Sequence, residues 1–115
     1  MQVALIGAGR IGTNHAGILA AIDGVDSLLI ADLAHERAVE LAESISIASA
    51  VDVDAAFTAD AIVIASSTDT HADLLIRTAE AGIPAFCEKP IALDLASTRR
   101  AVEAVEQAGT AVQMG

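Results

Sequence analysis

Lys89 is the single lysine of this 115-residue chain. It stands in the run Cys87-Glu88-Lys89-Pro90, directly after a short apolar segment. An ammonium flanked by a carboxylate and by a ring that restrains the backbone is suited to polarising a hydroxyl or steadying a proton transfer. Near the other end, Gly7, Gly9 and Gly12 follow an apolar run at G-x-G-x-x-G spacing. Between these two runs, Ser66-Ser67-Thr68-Asp69-Thr70-His71 concentrates hydroxyls, an acid and an imidazole in six residues. These three stretches do chemistry together only if the elements around them bring them to one place.

The pattern of elements predicts that they meet. Short apolar runs read as strands over 2–6, 27–31, 46–51, 61–66, 84–88 and 110–114. Longer runs with 3.6-residue periodicity read as helices over 10–22, 34–45, 70–82 and 95–109, with a short turn or helix near 52–58. In the first helix, Ile11, His15, Ile18 and Ile22 share one face and are expected to point inward. In the second, Ala38, Leu41 and Ile45 face inward, opposite Glu36, Glu40 and Glu43. Gly82 and Gly109 end the last two helices, and Thr70 with Asp73 has the spacing of a capping box. Strands alternating with helices give an α/β fold of Rossmann type, a doubly wound parallel sheet of about six strands in three α/β/α layers. Ligands of such sheets bind at the carboxyl ends of the strands, where the strand order reverses.

The glycines sit between the first strand and the first helix, where a dinucleotide-binding fingerprint belongs. Gly7 permits the tight turn, Gly9 admits a pyrophosphate, and Gly12 lets helix and strand approach closely. Arg10 and Ile11 lie inside the same turn and count with these glycines as cofactor-binding positions; Arg10 either touches the pyrophosphate or is solvated. Asp32 stands about 20 residues on, at the end of the second strand, where a carboxylate accepts hydrogen bonds from the adenosine ribose. It repels a 2′-phosphate and is followed by Leu33 rather than arginine, which favours NAD over NADP; Arg37 is the nearest base. An S-adenosylmethionine site also uses a glycine loop, but an acid is expected before its glycines, and here "VALI" precedes them.

The segments "GAGRIGTNHA", "ADLAHERA", "IVIASSTDTHADL" and "CEKPIAL" occur in this order over essentially the whole chain. They resemble the N-terminal domain of the glucose-fructose oxidoreductase/inositol dehydrogenase/MocA family, and the Glu-Lys-Pro run is the most specific element of the likeness. The resemblance implies that residues 1–115 are an NAD(P)-binding domain, followed in the family by a larger substrate domain that this chain lacks. It implies a catalytic role for Lys89 at the nicotinamide and a substrate hydroxyl. It has Glu88 position the nicotinamide end, Pro90 fix the loop, and Ser66, Thr68 and His71 line the nicotinamide half. The expected activity of the whole protein is NAD-dependent oxidation of a polyol, sugar or similar secondary alcohol, with this chain inactive alone. Two other readings stand beside it: a separate NAD-binding or redox-sensing module, which would not need Lys89, and the cofactor domain of an NAD-recycling glycosidase or dehydratase.

Composition removes other classes. The formal net charge of −10 opposes binding to nucleic acid. A backbone anion site needs no net positive charge. With one cysteine there is no internal disulfide, and no histidine pair has metal-ligand spacing. Apolar runs fall well short of the roughly 20 residues that span a bilayer, and no signal peptide precedes the first strand, so a cytoplasmic protein is expected. His15 is expected to pack on an apolar helix face, His35 to be exposed, and Cys87 to be a buried strand residue. An unpaired edge near residues 111–114 suggests weak self-association.

Overall fold

The computed structural model describes residues 1–115. Six strands, β1 (Gln2–Ile6), β2 (Ser27–Ala31), β3 (Ala48–Ala50), β4 (Ala61–Ile64), β5 (Ala85–Cys87) and β6 (Val112–Met114), form one sheet in the order β3-β2-β1-β4-β5-β6. Every pairing is parallel. The order reverses between β1 and β4. The register aligns Ile6 with Ala31 and Ile64, and Ile64 with Cys87. The loops carrying Gly7, Asp32, Ser66 and Glu88 therefore leave the same edge of the sheet side by side.

Helices α1 (Arg10–Ala20) and α2 (His35–Glu43) cover one face. The short α3 (Val53–Ala56), α4 (His71–Ala81) and α5 (Leu95–Ala108) cover the other. Alternation along β1 sends Val3 and Leu5 to the α1/α2 side, and Ala4 and Ile6 to the α3/α4/α5 side. With almost no aromatic residues, the core is built from aliphatic side chains and alanine, which lets helices lie close to the sheet. No helix is long and apolar enough to cross a membrane.

The inward face of α1 differs from the sequence expectation. Ile11, Ile18 and Ile22 are about half exposed, and Gly12 and Ala16 are the residues that meet the sheet. A Cβ on Gly12 would lie 1.8 Å from the Gly7 carbonyl oxygen. At that separation only small residues fit beneath the helix, so the branched side chains are displaced to its flanks. The helix also stops at Ala20 rather than Ile22. In α2, Ala38 and Ala42 are buried, while Leu41 and Ile45 pack partly against the same cluster.

Thr70 and Asp73 do not form a capping box. The Thr70 hydroxyl donates to the Ser67 carbonyl, 2.6 Å away, and no side chain caps α4. A single 3-10 turn over Thr68–Thr70 precedes that helix and occupies the hydroxyl in its own closure. Helix α5 is capped instead by Asp94, whose carboxylate accepts the Ser97 N–H at 2.7 Å. That backbone hydrogen bond holds the Asp94 carboxyl below its ordinary value. Gly82 and Gly109 end α4 and α5 in the left-handed region, both at φ 68°. β3, β5 and β6 are each three residues long, shorter than the apolar runs predict.

Two glycines of α1 separate packing from propensity. Gly12→Ala is expected to lower stability by about 3 kcal/mol in urea unfolding, through overlap with the Gly7 carbonyl. Gly17→Ala, with nothing within 4 Å, is expected to raise it by roughly 0.5–1 kcal/mol.

Candidate cofactor site

The three glycines of the first loop have different reasons to be glycine. Gly7 has φ 114°, and a Cβ there would lie 2.5 Å from the Ala65 carbonyl. Its N–H donates to the Ala31 carbonyl at 2.8 Å, which closes the turn onto β2. Gly12 is required by the helix contact already described. Gly9 is different: a Cβ on it would meet nothing within 4 Å. No packing within the protein calls for glycine there. The open space lies at the start of α1, whose first backbone bond runs from Thr13 N–H to the Gly9 carbonyl at 2.8 Å. The N–H groups of Arg10, Ile11 and Gly12 thus have no backbone acceptor. Open space above Gly9, facing a helix N-terminus, fits the pyrophosphate of a dinucleotide.

Asp32 stands beside this loop. One carboxylate oxygen accepts the Ala8 N–H at 2.7 Å and the other accepts the Ala34 N–H at 2.8 Å. The acid therefore ties the glycine loop to the start of α2, and its remaining lone pairs face a cavity of about 600 Å³. Gly7, Gly9, Leu33, Arg37 and Ser66 line that cavity with it, and Leu33 is 85% exposed. Arg77 also reaches the cavity. It lies 4.0 Å from the centre of the Phe57 ring and donates to Asp54 at 2.9 Å. Sequence reading did not select Arg77, since an arginine in mid-helix looks like any solvated side chain. Arg10 and Ile11 are exposed and border an adjoining cleft with Gly9 and Ser66.

The loops after β4 and β5 form the other half. The Ser66 hydroxyl bonds that of Thr70 at 2.7 Å. Thr68 lines a smaller cavity of about 230 Å³ with Asp94 and Arg100. His71 does not face the cleft: it is 1% exposed, with Nδ1 2.7 Å from the Pro90 carbonyl oxygen and Nε2 2.9 Å from that of Ser66. His15 is not simply packed on an apolar face. Its Nε2 lies 2.7 Å from a Glu88 carboxylate oxygen, and its ring meets Phe86 edge-on, 5.5 Å between centres. Periodicity marks which face a histidine occupies but not which carboxylate waits across the sheet. Lys89 and Pro90 are exposed and joined by a cis peptide bond. Glu88 is engaged by His15, and Lys89 makes no ion pair.

A protein-family model described as an oxidoreductase family with an NAD-binding Rossmann fold, Gfo/Idh/MocA, matches residues 1–115. The chain belongs to this family. A myo-inositol 2-dehydrogenase of Thermotoga maritima is 35% identical over 94% of this chain and 34% of its own length. The crystal structure of a myo-inositol dehydrogenase from Corynebacterium glutamicum superposes at a TM-score of 0.89 with 44% identity, over all of this chain and 35% of that one. GenD2 from gentamicin A biosynthesis, crystallised with NAD, gives a TM-score of 0.89 at 26% identity, over all of this chain and 34% of that one. The chain thus spans about a third of the length of these Gfo/Idh/MocA proteins and corresponds to their NAD-binding Rossmann domain.

Cys87, although next to the site, is not a nucleophile within it. Burial first, and the Glu88 charge second, push its thiol up to about 12. At pH 8 the folded chain should hold about a thousandfold less thiolate than an ordinary cysteine. A chromogenic disulfide reagent should therefore leave the native chain unlabelled at pH 8 and react promptly in urea. Because the folded value is raised, the thiol's contribution to stability is complete below the unfolded pKa, near 9.0, and declines as pH rises toward 12.

Proposed function

We propose that this chain is the cofactor half of an NAD-dependent dehydrogenase that oxidises a secondary alcohol of polyol or sugar type. The observation that carries this reading is Lys89. Its ammonium sits just beyond the carboxyl end of β5 without an ion-pair partner, because the neighbouring Glu88 is already held by His15. A domain that only binds a dinucleotide has no use for an unpaired amine there. The myo-inositol dehydrogenases among its relatives supply the substrate class.

The residues divide the work by position. The N–H groups at the start of α1 bind the pyrophosphate above Gly9, with Arg10 and Ile11 at its edge. Asp32 accepts the adenosine ribose hydroxyls, and Leu33 covers the adenine. Ser66 and Thr68 border the path toward the nicotinamide, and Glu88 and Pro90 shape its far end. The nicotinamide, when bound, supplies the hydride acceptor. Lys89 donates to the substrate hydroxyl oxygen and steadies the negative charge that grows there as its proton leaves. Asp32 gives the preference for NAD over NADP, since its carboxylate faces the position a 2′-phosphate would take. Arg37 borders the same cavity and leaves a weaker path for the phosphorylated form.

Calorimetric titration tests this directly. NAD should bind in the micromolar to millimolar range, with NADP about tenfold weaker or more, a difference of ~1.4 kcal/mol. Gly9→Val should abolish binding while leaving the melting temperature unchanged, since its side chain meets only the open space. Wild-type affinity in Gly9→Val, or failure of both nucleotides to bind the wild type, would sink the proposal.

A further inference from the structure

Few contacts hold the loop after β5. The Glu88 N–H donates to Ile64 at 2.9 Å, as the last link to the sheet. From Lys89 to Leu93 no N–H or carbonyl makes a backbone hydrogen bond, until Asp94 opens α5. Two histidines act within this gap. His15 reaches from α1, on one face of the sheet, to the Glu88 carboxylate. His71 reaches from α4, on the opposite face, to the Pro90 carbonyl, with its second nitrogen against Ser66. These contacts fall on the residues immediately before and after Lys89. The His71 ring is buried, and its contact with Pro90 is the only hydrogen bond made by any residue from 89 to 93.

We infer that His15 and His71 are a paired bracket that positions Lys89, acting from opposite faces of the sheet on Glu88 and Pro90. Neither ring needs to touch cofactor or substrate. His15 keeps the Glu88 carboxylate from collapsing onto the Lys89 ammonium, which leaves the amine free. His71 fixes the outgoing chain and couples it to the Ser66 loop, so the two loops at the nicotinamide end move as one. The bracket rests on the proposed cofactor reading for its purpose, but its geometry can be tested without any ligand.

The single lysine makes the test specific. Incorporating [15N]lysine marks one backbone amide, that of Lys89. In the wild type this signal should be single and sharp, and should shift with NAD but not with ADP. In His15→Leu and His71→Leu the ligand-free signal should move or broaden. NAD affinity should fall about fivefold, the worth of one ordinary hydrogen bond, with ADP affinity unchanged. His15→Gln, whose amide can still donate to Glu88, should restore the wild-type signal. His15 is only half-buried, so His15→Leu carries the test alone if buried His71 tolerates no replacement. An unchanged Lys89 signal in the leucine variants, or equal weakening of NAD and ADP, overturns the bracket. A wild type that binds neither nucleotide instead sinks the cofactor reading, and the ligand-free Lys89 signal still decides the bracket.

Discussion

The approach of α1 to the loop that precedes it is the constraint on which the rest depends. Gly12 lies against the carbonyl of Gly7, and Gly7 against the backbone of Ala65. Those two contacts set the height of the helix over the sheet and the direction of its N-terminus. They explain why Ala16, one turn on, is small and why the isoleucines of α1 lie on its flanks. They also bring the β4 loop against the glycine turn, which brings Ser66 beside Gly9. Once the helix is seated, the anion-binding end follows from backbone geometry alone.

This explains how a chain of net charge −10 holds a site for a ligand bearing two phosphates. The attraction is local, from aligned peptide groups, and falls off within a turn. Arg10, Arg37 and Arg77 are three of the five arginines, and all border the clefts around the loop. Acids border the same clefts, Asp32, Asp69 and Asp73 in one and Glu40 beside Arg10 and Arg37 in another, so the arginines offset local negative charge there. Repulsion of polyanions at long range and capture of one dinucleotide at short range are therefore compatible.

The fold was legible because its signals are local and repeated. Alternating strand and helix patterns, two helix-ending glycines, and a glycine motif between strand and helix each specify one piece, and the pieces agree. The place of Asp32 beside the glycine loop was legible from its distance to the glycines, and the place of Lys89 just past β5 from the apolar run before it; the roles of both belong to the proposal. What escaped depended on contacts between residues far apart in sequence. His15 and Glu88 are 73 positions apart, and His71 and Pro90 are 19. No periodicity reveals that a ring on one helix meets a loop after another strand. The inward face of α1 was misjudged for a related reason: hydrophobicity ranks isoleucine above glycine and alanine, but the gap beneath the helix ranks them the other way.

The two backbone bonds made by Asp32 bear on how cofactor preference can change over evolution. The residue proposed to meet the ribose is also the one that fastens the glycine loop to α2, through Ala8 and Ala34. Replacing it to admit a 2′-phosphate removes the repulsive charge and both fastenings in one step. A lineage moving toward the phosphorylated cofactor must therefore first acquire another anchor for the loop, or pass through an intermediate that binds neither form well. On the proposed reading, cofactor identity in this domain is buffered against single substitutions, because the carboxylate that would read it also holds the loop in place.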